Sequence, residues 1–323
     1  MVQVGGKGSR VMRVLVVCSF KKDLPGGVAP FVKEQVEALR GQGVEYEFFL
    51  VKGKGAKGYL KQFKSLKTKI LEFCPDVIHA HFGLSGLLAN LQRNVPVVTT
   101  YHGSDINDRK ALPFSKMAMR LSAWNIFVSR KTMEAAKPKR SYTLLPCGID
   151  LSELQLTERQ AARERMKLDN DKQYILFAGA FDNAVKNAPL AKEAVESLNC
   201  STVGLLELKG YSREEVTLLM CAADAFLMTS FTEGSPQVIK EALACGCPIV
   251  SVDVGDVRER TQGVDGCYVS ETREPKELAD LLRKALSFEG KTQGRERIIS
   301  DGLDNRLVAA RLMEMYGETI HLY

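Results

Sequence analysis

The sequence predicts an α/β protein of two doubly wound, parallel-sheet domains facing each other across a cleft. Three observations predict it. The chain has 323 residues, more than one compact core usually holds. Short apolar runs of strand length alternate with segments of helical period, as in a parallel sheet with helices on both faces. The alternation breaks once, around residues 150–170, and then resumes.

In the first half "RVLVVCS" (13–19) reads as a continuous apolar strand. "LPGGVAPFVKEQVEALRGQG" (24–43) follows as a Gly-Gly turn and a helix with apolar residues at 28, 31, 32, 36 and 39, closed by Gly41. "EYEFFLV" (45–51) is a strand, and a Lys-rich helix then runs to about Phe73. "PDVIHAHFG", "VPVVTTYHG" and "WNIFVS" are strands, separated by the helices "LSGLLANLQRN" and "ALPFSKMAMRLSA". After the break, "YILFAGAF", "LLELKG", "DAFLMTS", "PIVSVDVG" and "GCYVS" continue the series. These runs set the expected limits: a first domain over 1–155, a second over 156–305, and a closing helix over 306–323.

Composition, 45% apolar and 26% charged, places the chain among globular proteins. No apolar run approaches the roughly 18–20 residues that a membrane span needs. The N-terminal "MVQVGGKGSRVMRVLVVCSF" lacks a small-residue cleavage site, so a cytoplasmic location is expected. "GGKGS" (5–9) fails the spacing of a phosphate-binding loop. The eight cysteines form no CxxC pair and sit in apolar segments, which argues for reduced thiols. Net charge is +6, but residues 1–150 carry 24 Lys and Arg against 11 Asp and Glu, and the remainder carries 21 against 28. The basic first half calls for an anionic partner. "KGKGAKGYLKQFKSLKTKI" (52–70) places Leu60, Phe63, Leu66 and Ile70 in a stripe beside seven lysines, a pattern open to core packing or to an anionic membrane surface.

The stretch richest in chemistry is "FTEGSPQVIKEALACGCPIV" (231–250). Ser235 is expected to cap a helix and Pro236 to be its first residue. Glu233 then lies just before the helix start and Glu241 inside the helix. Free amides of the first turn share space with Glu233, making an anion site. An anion cradle with two carboxylates suits a sugar nucleotide: amides take the diphosphate and carboxylates take hydroxyls.

The segment is similar to the Glu-x7-Glu signature of retaining glycosyltransferases of family four, which have the GT-B fold. "GGVAPFVKEQVEAL", "PDVIHAHFG", "VPVVTTYHGSD", "LLPCGID", "ILFAGAFDNAVKN", the block from "LKGYS" to "VGDVRE", and "VDGCYV" resemble that family in its own order, over roughly residues 11–315. The resemblance implies two Rossmann-like domains, with a nucleotide-sugar donor held mainly by the second. It also implies a final helix crossing back to the first domain, and hexosyl transfer with retention and without a metal or cofactor.

By the same resemblance Glu241 holds ribose hydroxyls. Glu233 contacts the donor sugar and supports charge at the anomeric carbon. Gly234, Ser235, Pro236 and Gln237 offer backbone to sugar and phosphate, and Lys186 neutralises the diphosphate. Gly26 and Gly27 let the first domain's backbone approach the diphosphate. His102 stands near the transferred sugar, Asp105 is a secondary candidate, and Tyr211 lies where the base is held. Each has a plain alternative: a surface carboxylate, a solvated lysine, an ordinary turn, a core histidine. The chain departs from the family at Ala180, which follows Gly179 where an Arg is common. Either Lys186 with helix amides suffices, another cation substitutes, or donor affinity is weak.

"HAH" (79–81) places two histidines on one strand face, expected as core or cleft lining because zinc needs three or four ligands. "DND" (169–171) reads as a charged turn. The expected function is transfer of a hexosyl group to a hydroxyl acceptor in surface polysaccharide or glycolipid assembly, in the cytoplasm or peripherally on the inner membrane face. The acceptor is expected to be a glycan or a lipid-linked one. Two alternatives stand beside it: a GT-B-fold sugar-nucleotide epimerase, which needs no acceptor, and a catalytically weak nucleotide-sugar-binding protein, motivated by Ala180. No nucleic-acid partner is expected, for the basic half lacks interleaved aromatics and a recognised module.

Overall fold

The computed structural model describes residues 10–323; the glycine-rich stretch 5–9 lies outside them. Six strands form the first sheet: β1 (Arg13–Ser19), β2 (Glu45–Val51), β3 (Val77–His81), β4 (Val97–Tyr101), β5 (Trp124–Phe127) and β6 (Tyr142–Leu144). All neighbours pair in parallel, in the order β2-β1-β3-β4-β5-β6. Five more form the second: β7 (Gln173–Phe177), β8 (Val203–Glu207), β9 (Ala225–Met228), β10 (Ile249–Val252) and β11 (Cys267–Ser270). Their order is β11-β10-β9-β7-β8, again all parallel. Helices cover both faces of each sheet, which is why β3, β4, β9 and β10 are buried at every residue.

The second sheet holds one core, built on Ile175–Ala178, Ala225–Met228 and Ile249–Val250 with the helices around them. The first sheet has a core on each face. On one face Val14, Val16 and Val98 pack against the Pro30–Arg40 helix and against Val308, Leu312 and Tyr316 of the long Asn305–Leu322 helix. On the other, Leu15, Val17, Ile78 and Ala80 pack against Leu66 and Phe73. The chain therefore crosses between the sheets twice. The two crossings touch: Ile149 N–H donates to Leu303 O and Asn305 N–H to Ile149 O, both at 2.9 Å.

Two local expectations need correction. The Lys-rich helix is two helices, Gly55–Leu60 and Phe63–Phe73, separated at Lys61 and Gln62. Of its stripe, Leu66 is fully buried and Phe63 and Ile70 pack on the core, while Leu60 is exposed. The motif helix runs from Gln237 to Ala244 with Pro236 as its cap, one residue later than expected. Ser235 therefore lies one residue before the cap, and its hydroxyl donates to the buried Asp256 carboxylate at 2.8 Å. Gly246, at φ +67°, follows the helix end.

Candidate active site

Strand order reverses between β1 and β3 in the first sheet and between β7 and β9 in the second. Loops leaving the two strands at such a point diverge and open a crevice beyond their carboxyl ends. In the second sheet those loops carry Lys186 and Glu233. In the first they carry Gly26 and Gly27 on one side and Phe82 on the other. The four loops converge where the sheets meet.

Lys186 Nζ donates to Glu233 Oε1 at 2.8 Å, and both side chains are mostly shielded from solvent. The lysine stem lies over Gly179, where an added Cβ would come within 2.9 Å of Lys186 Cγ. Lys186 is fixed from behind as well, since Thr229 Oγ1 donates to its carbonyl. Glu233 opens the turn Gly234–Pro236, which wedges between the sheets. A Cβ on Gly234 would lie 2.1 Å from the carbonyl oxygen of His102, and one on Gly103 would lie 2.6 Å from Gly234 Cα. Only two glycines allow this approach of backbone to backbone, and Gly103 also holds φ +102°. Asn107 Nδ2 donating to Thr232 Oγ1 at 2.9 Å reinforces the contact.

Beside the wedge is a chamber of about 360 Å³, lined by His102, Phe31, Phe82, Cys147, Glu233 and Gly234–Gln237 among others. The structure thus brings together His102, Glu233, Gly234, Ser235, Pro236 and Gln237, with Lys186 on Glu233. Glu241, Gly26, Gly27 and Tyr211 are not among its walls.

Glu241 lies one turn along the helix from Gln237. Burial pushes its carboxyl above the ordinary glutamate range, and Arg213, 4.0 Å away, pulls it back. Arg213 begins the helix Arg213–Ala222 and also forms an ion pair with Glu34 of the Pro30–Arg40 helix, so it spans the crevice. Arg213, Glu34 and Pro25 border a second cavity of about 860 Å³, together with Asp150, Glu153 and Asn305. Gly26 and Gly27 hold φ +68° and +72° in the turn beside Pro25, and an added Cβ on Gly27 would strike the Phe20 ring. Tyr211 is exposed on the loop before Arg213.

Sequence reasoning missed Lys240. It is fully buried, next to Glu241, and Nζ donates to Cys147 O and Gln237 Oε1, each at 2.6 Å. Gln237 in turn donates to Gly148 O at 2.8 Å, so the motif helix is tied to the first crossing between the domains. Asp256 lies behind, its carboxyl pushed up by burial and lowered by Lys240 and Arg260. Lysine is almost never fully buried unless paired. A lysine among Val238, Ile239, Ala242 and Leu243 was the available signal.

The "HAH" histidines are buried below His102. His79 Nδ1 meets Tyr316 Oη at 2.6 Å and Nε2 meets Thr100 Oγ1 at 2.7 Å. His81 Nδ1 meets His102 Nε2 at 3.0 Å, and His102 Nδ1 faces Cys147 Sγ at 3.9 Å. His102 therefore presents its ring to the chamber between Phe31 and Phe82, with both nitrogens engaged by protein. Burial lowers His79 and His102 to about 3 and His81 well below the ordinary histidine value, so all three are neutral at pH 7. Asp105 receives N–H groups from Gly83, His102 and Gly103 at 2.9–3.1 Å and fixes the backbone at the strand end. Phe82 holds φ +72°, unusual for a residue with a side chain, and that conformation aims its ring at His102.

Comparison with known proteins fits this geometry. Residues 48–153 match the family model described as Glycosyltransferase Family 4, and residues 187–287 match the one described as Glycosyl transferases group 1. The Bacillus subtilis (strain 168) protein named as teichuronic acid biosynthesis glycosyltransferase TuaC is 32% identical over 222 residues, 59% of this chain and 57% of that protein. The D-inositol 3-phosphate glycosyltransferase of Geodermatophilus obscurus is 27% identical over 271 residues, 66% of this chain and 59% of that protein. The chain thus spans less than two thirds of these relatives' length. Among solved structures, sucrose-phosphate synthase from Thermosynechococcus elongatus superposes with a TM-score of 0.81 at 16% identity, covering 97% of this chain and 100% of that one. Anabaena Alr3699/HepE in complex with UDP and glucose gives 0.72 at 17% identity, covering 95% and 100%. Two parallel-sheet α/β domains and these neighbours make the fold GT-B.

Proposed function

We propose that this chain, supported by its two domain matches as a family-four GT-B glycosyltransferase, moves a hexosyl group from a nucleotide-diphosphate sugar to a hydroxyl acceptor with retention. The observation that carries the reading is the convergence of Glu233, Lys186 and the Gly234–Gln237 turn at the second sheet's crevice, facing His102 across one chamber. The bound ligands named for the Anabaena neighbour, UDP and UDP-glucose, support a nucleotide-sugar donor. The name of the Bacillus relative supports a surface-polymer acceptor.

In this reading the sugar occupies the chamber and the diphosphate lies toward Lys186 and the amides at the start of the Gln237–Ala244 helix. The bond from the anomeric carbon to the phosphate oxygen lengthens first. Lys186 and the helix amides take up charge growing on the leaving diphosphate. Glu233 supports the positive charge growing on the sugar. The acceptor oxygen bonds to the anomeric carbon from the face the phosphate leaves, and its proton passes to the departing phosphate oxygen. Glu241 receives the ribose hydroxyls, with Arg213 holding its carboxylate in place. Charge neutralisation falls to Lys186 and the amides, and no metal is assigned a step.

A thermal-shift series with UDP, GDP, ADP and their sugar conjugates tests it. One nucleotide class should raise the melting temperature of the wild type and not of Glu241→Ala, since a ligand stabilises only the state that binds it. Absence of any shift at concentrations above about 1 mM, the upper range of ordinary KM values, would overturn the reading.

The acceptor side carries a second, separable proposal. Leu60 and Leu71 are exposed beside the lysines of the Gly55–Leu60 and Phe63–Phe73 helices, and no helix among the described residues is long and apolar enough to cross a membrane. We assign this basic face to an anionic lipid surface, with attraction of about 1 kcal/mol per lysine. Binding to vesicles should rise with anionic lipid and fall with salt. Equally poor binding to neutral and anionic vesicles would remove this partner.

A further inference from the structure

The three stacked histidines hold an asymmetry that bears on what His102 can do. The His81 ring lies between those of His79 and His102, with centroids 4.4 and 5.2 Å away. Its Nδ1 contacts His102 Nε2 at 3.0 Å. Its Nε2 is buried and has no hydrogen-bond partner among the described residues. Two neutral imidazoles share one proton across such a contact, and either ring can supply it.

The choice is decided at the far nitrogen of His81. If His102 supplied the proton, His81 would carry its own proton on Nε2, an N–H buried with nothing to receive it. Folded proteins avoid orphaned buried N–H groups most consistently of all. If His81 supplies the proton from Nδ1, its Nε2 is a bare lone pair, the milder defect. His102 then accepts at Nε2 and carries its own proton on Nδ1. That nitrogen faces Cys147 Sγ at 3.9 Å, and both residues line the chamber. A thiol sulfur is a weak acceptor, so a ligand oxygen can take its place.

We propose that His81 is a positioning residue that locks His102 as the Nδ1–H tautomer, so that His102 meets its ligand as a hydrogen-bond donor and not as a base. The identity of that ligand, a hydroxyl or phosphate oxygen of a sugar donor, rests on the function proposed above; the tautomer does not. The lock also accounts for the pair on one strand face. His79, held by Tyr316 and Thr100, forms the floor on which His81 stacks.

The full chain has four histidines, and the fourth, His321, is exposed near the chain end. Selective ¹⁵N-histidine labelling and long-range ¹H–¹⁵N correlation therefore read every ring, with His321→Gln and His81→Asn assigning the signals. His81 and His102 should both show the Nδ1-protonated pattern. An Nε2-protonated His102 overturns the proposal. In kinetics, His81→Phe keeps an aromatic ring but removes the donor, and kcat should fall about ten- to a hundredfold. The donor KM should stay within about twofold. His81→Asn keeps an N–H near the Nδ1 position and should recover most of the rate. Equal loss in both variants, with His102 unchanged in tautomer, removes the positioning role. If His102 is Nδ1-protonated and the chain transfers no sugar to any acceptor, the tautomer lock stands and the transferase reading falls.

Discussion

Glu233→Gln is expected to lower kcat by about 10²- to 10³-fold, the usual cost of removing one group aimed at developing charge. The substitution keeps the size and shape of the side chain, so the turn Gly234–Pro236 and its contact with Gly103 should persist. What it removes is the charge. Glu233 is the carboxylate bordering the chamber where the sugar would become cationic, and it also holds Lys186 Nζ at 2.8 Å. A glutamine oxygen can still accept from Lys186 but with less attraction, so the cation is less well placed for the departing diphosphate. Both losses appear in the transition state more than in the ground state, so kcat should carry the effect and donor KM should change little. Glu233→Gln and Lys186→Met combined should cost less than the two single losses multiplied, because the residues act as one unit. Transfer by Glu233→Gln within about threefold of wild type would contradict the assignment, as that is far below one such group's contribution.

Stability should fall steeply in mild acid. His79 and His102 titrate at about 3 and His81 well below its ordinary value, in each case first because the ring is buried. In the unfolded chain the same rings titrate near 6.5, so between the two values the unfolded state binds more protons than the native one. Stability is therefore fully present above about pH 6.5 and lost as the pH falls from there toward 3, by up to about 1.4 kcal/mol per pH unit for each ring. Asp105 works in the other direction. Burial raises it to about 6, opposed by its three backbone donors, so it contributes stability below its unfolded value and loses it as the pH rises through 6. The buried carboxyls of Glu241 and Asp256, which burial also raises, act in the same direction as Asp105 and offset part of the histidine loss. Denaturant midpoints at about pH 5 should then lie below those at about pH 7.5. Equal midpoints would mean that the rings are charged or solvated in the native state.

The sheets and the motif were open to reading because their signals are local. β1 and β7 are covered on both faces, so they read as apolar runs without any knowledge of their neighbours. The Gly234–Gln237 turn carries its chemistry within four residues. Features that depend on distant partners were not open to reading. Lys240 makes sense only with Cys147 O, 93 residues away, and His79 only with Tyr316, 237 residues away. Ser235 has the right residue type for a cap, but the helix starts one residue later, at Gln237, which leaves Ser235 outside the cap position with its hydroxyl donating to the buried Asp256 carboxylate. The stripe over Leu60–Ile70 followed one helical period, whereas the chain breaks at Lys61 and turns Leu60 outward. Spacing placed both motif glutamates near one helix start; the fold puts Glu241 beside Arg213 and outside the chamber that Glu233 borders.

The two crossings between the domains run side by side and are bonded to each other, Ile149 to Leu303 and Asn305. A single covalent link would let one half swivel about several axes. Two bonded links leave rotation about one line, so opening moves each point in the crevice along a fixed arc. The wedge of Gly234 against Gly103 is then a steric stop on that arc, and the Arg213–Glu34 pair and the Asn107–Thr232 bond hold the halves against it. A methyl group at either position would hold the halves apart at a wider angle while leaving each domain's own core unchanged.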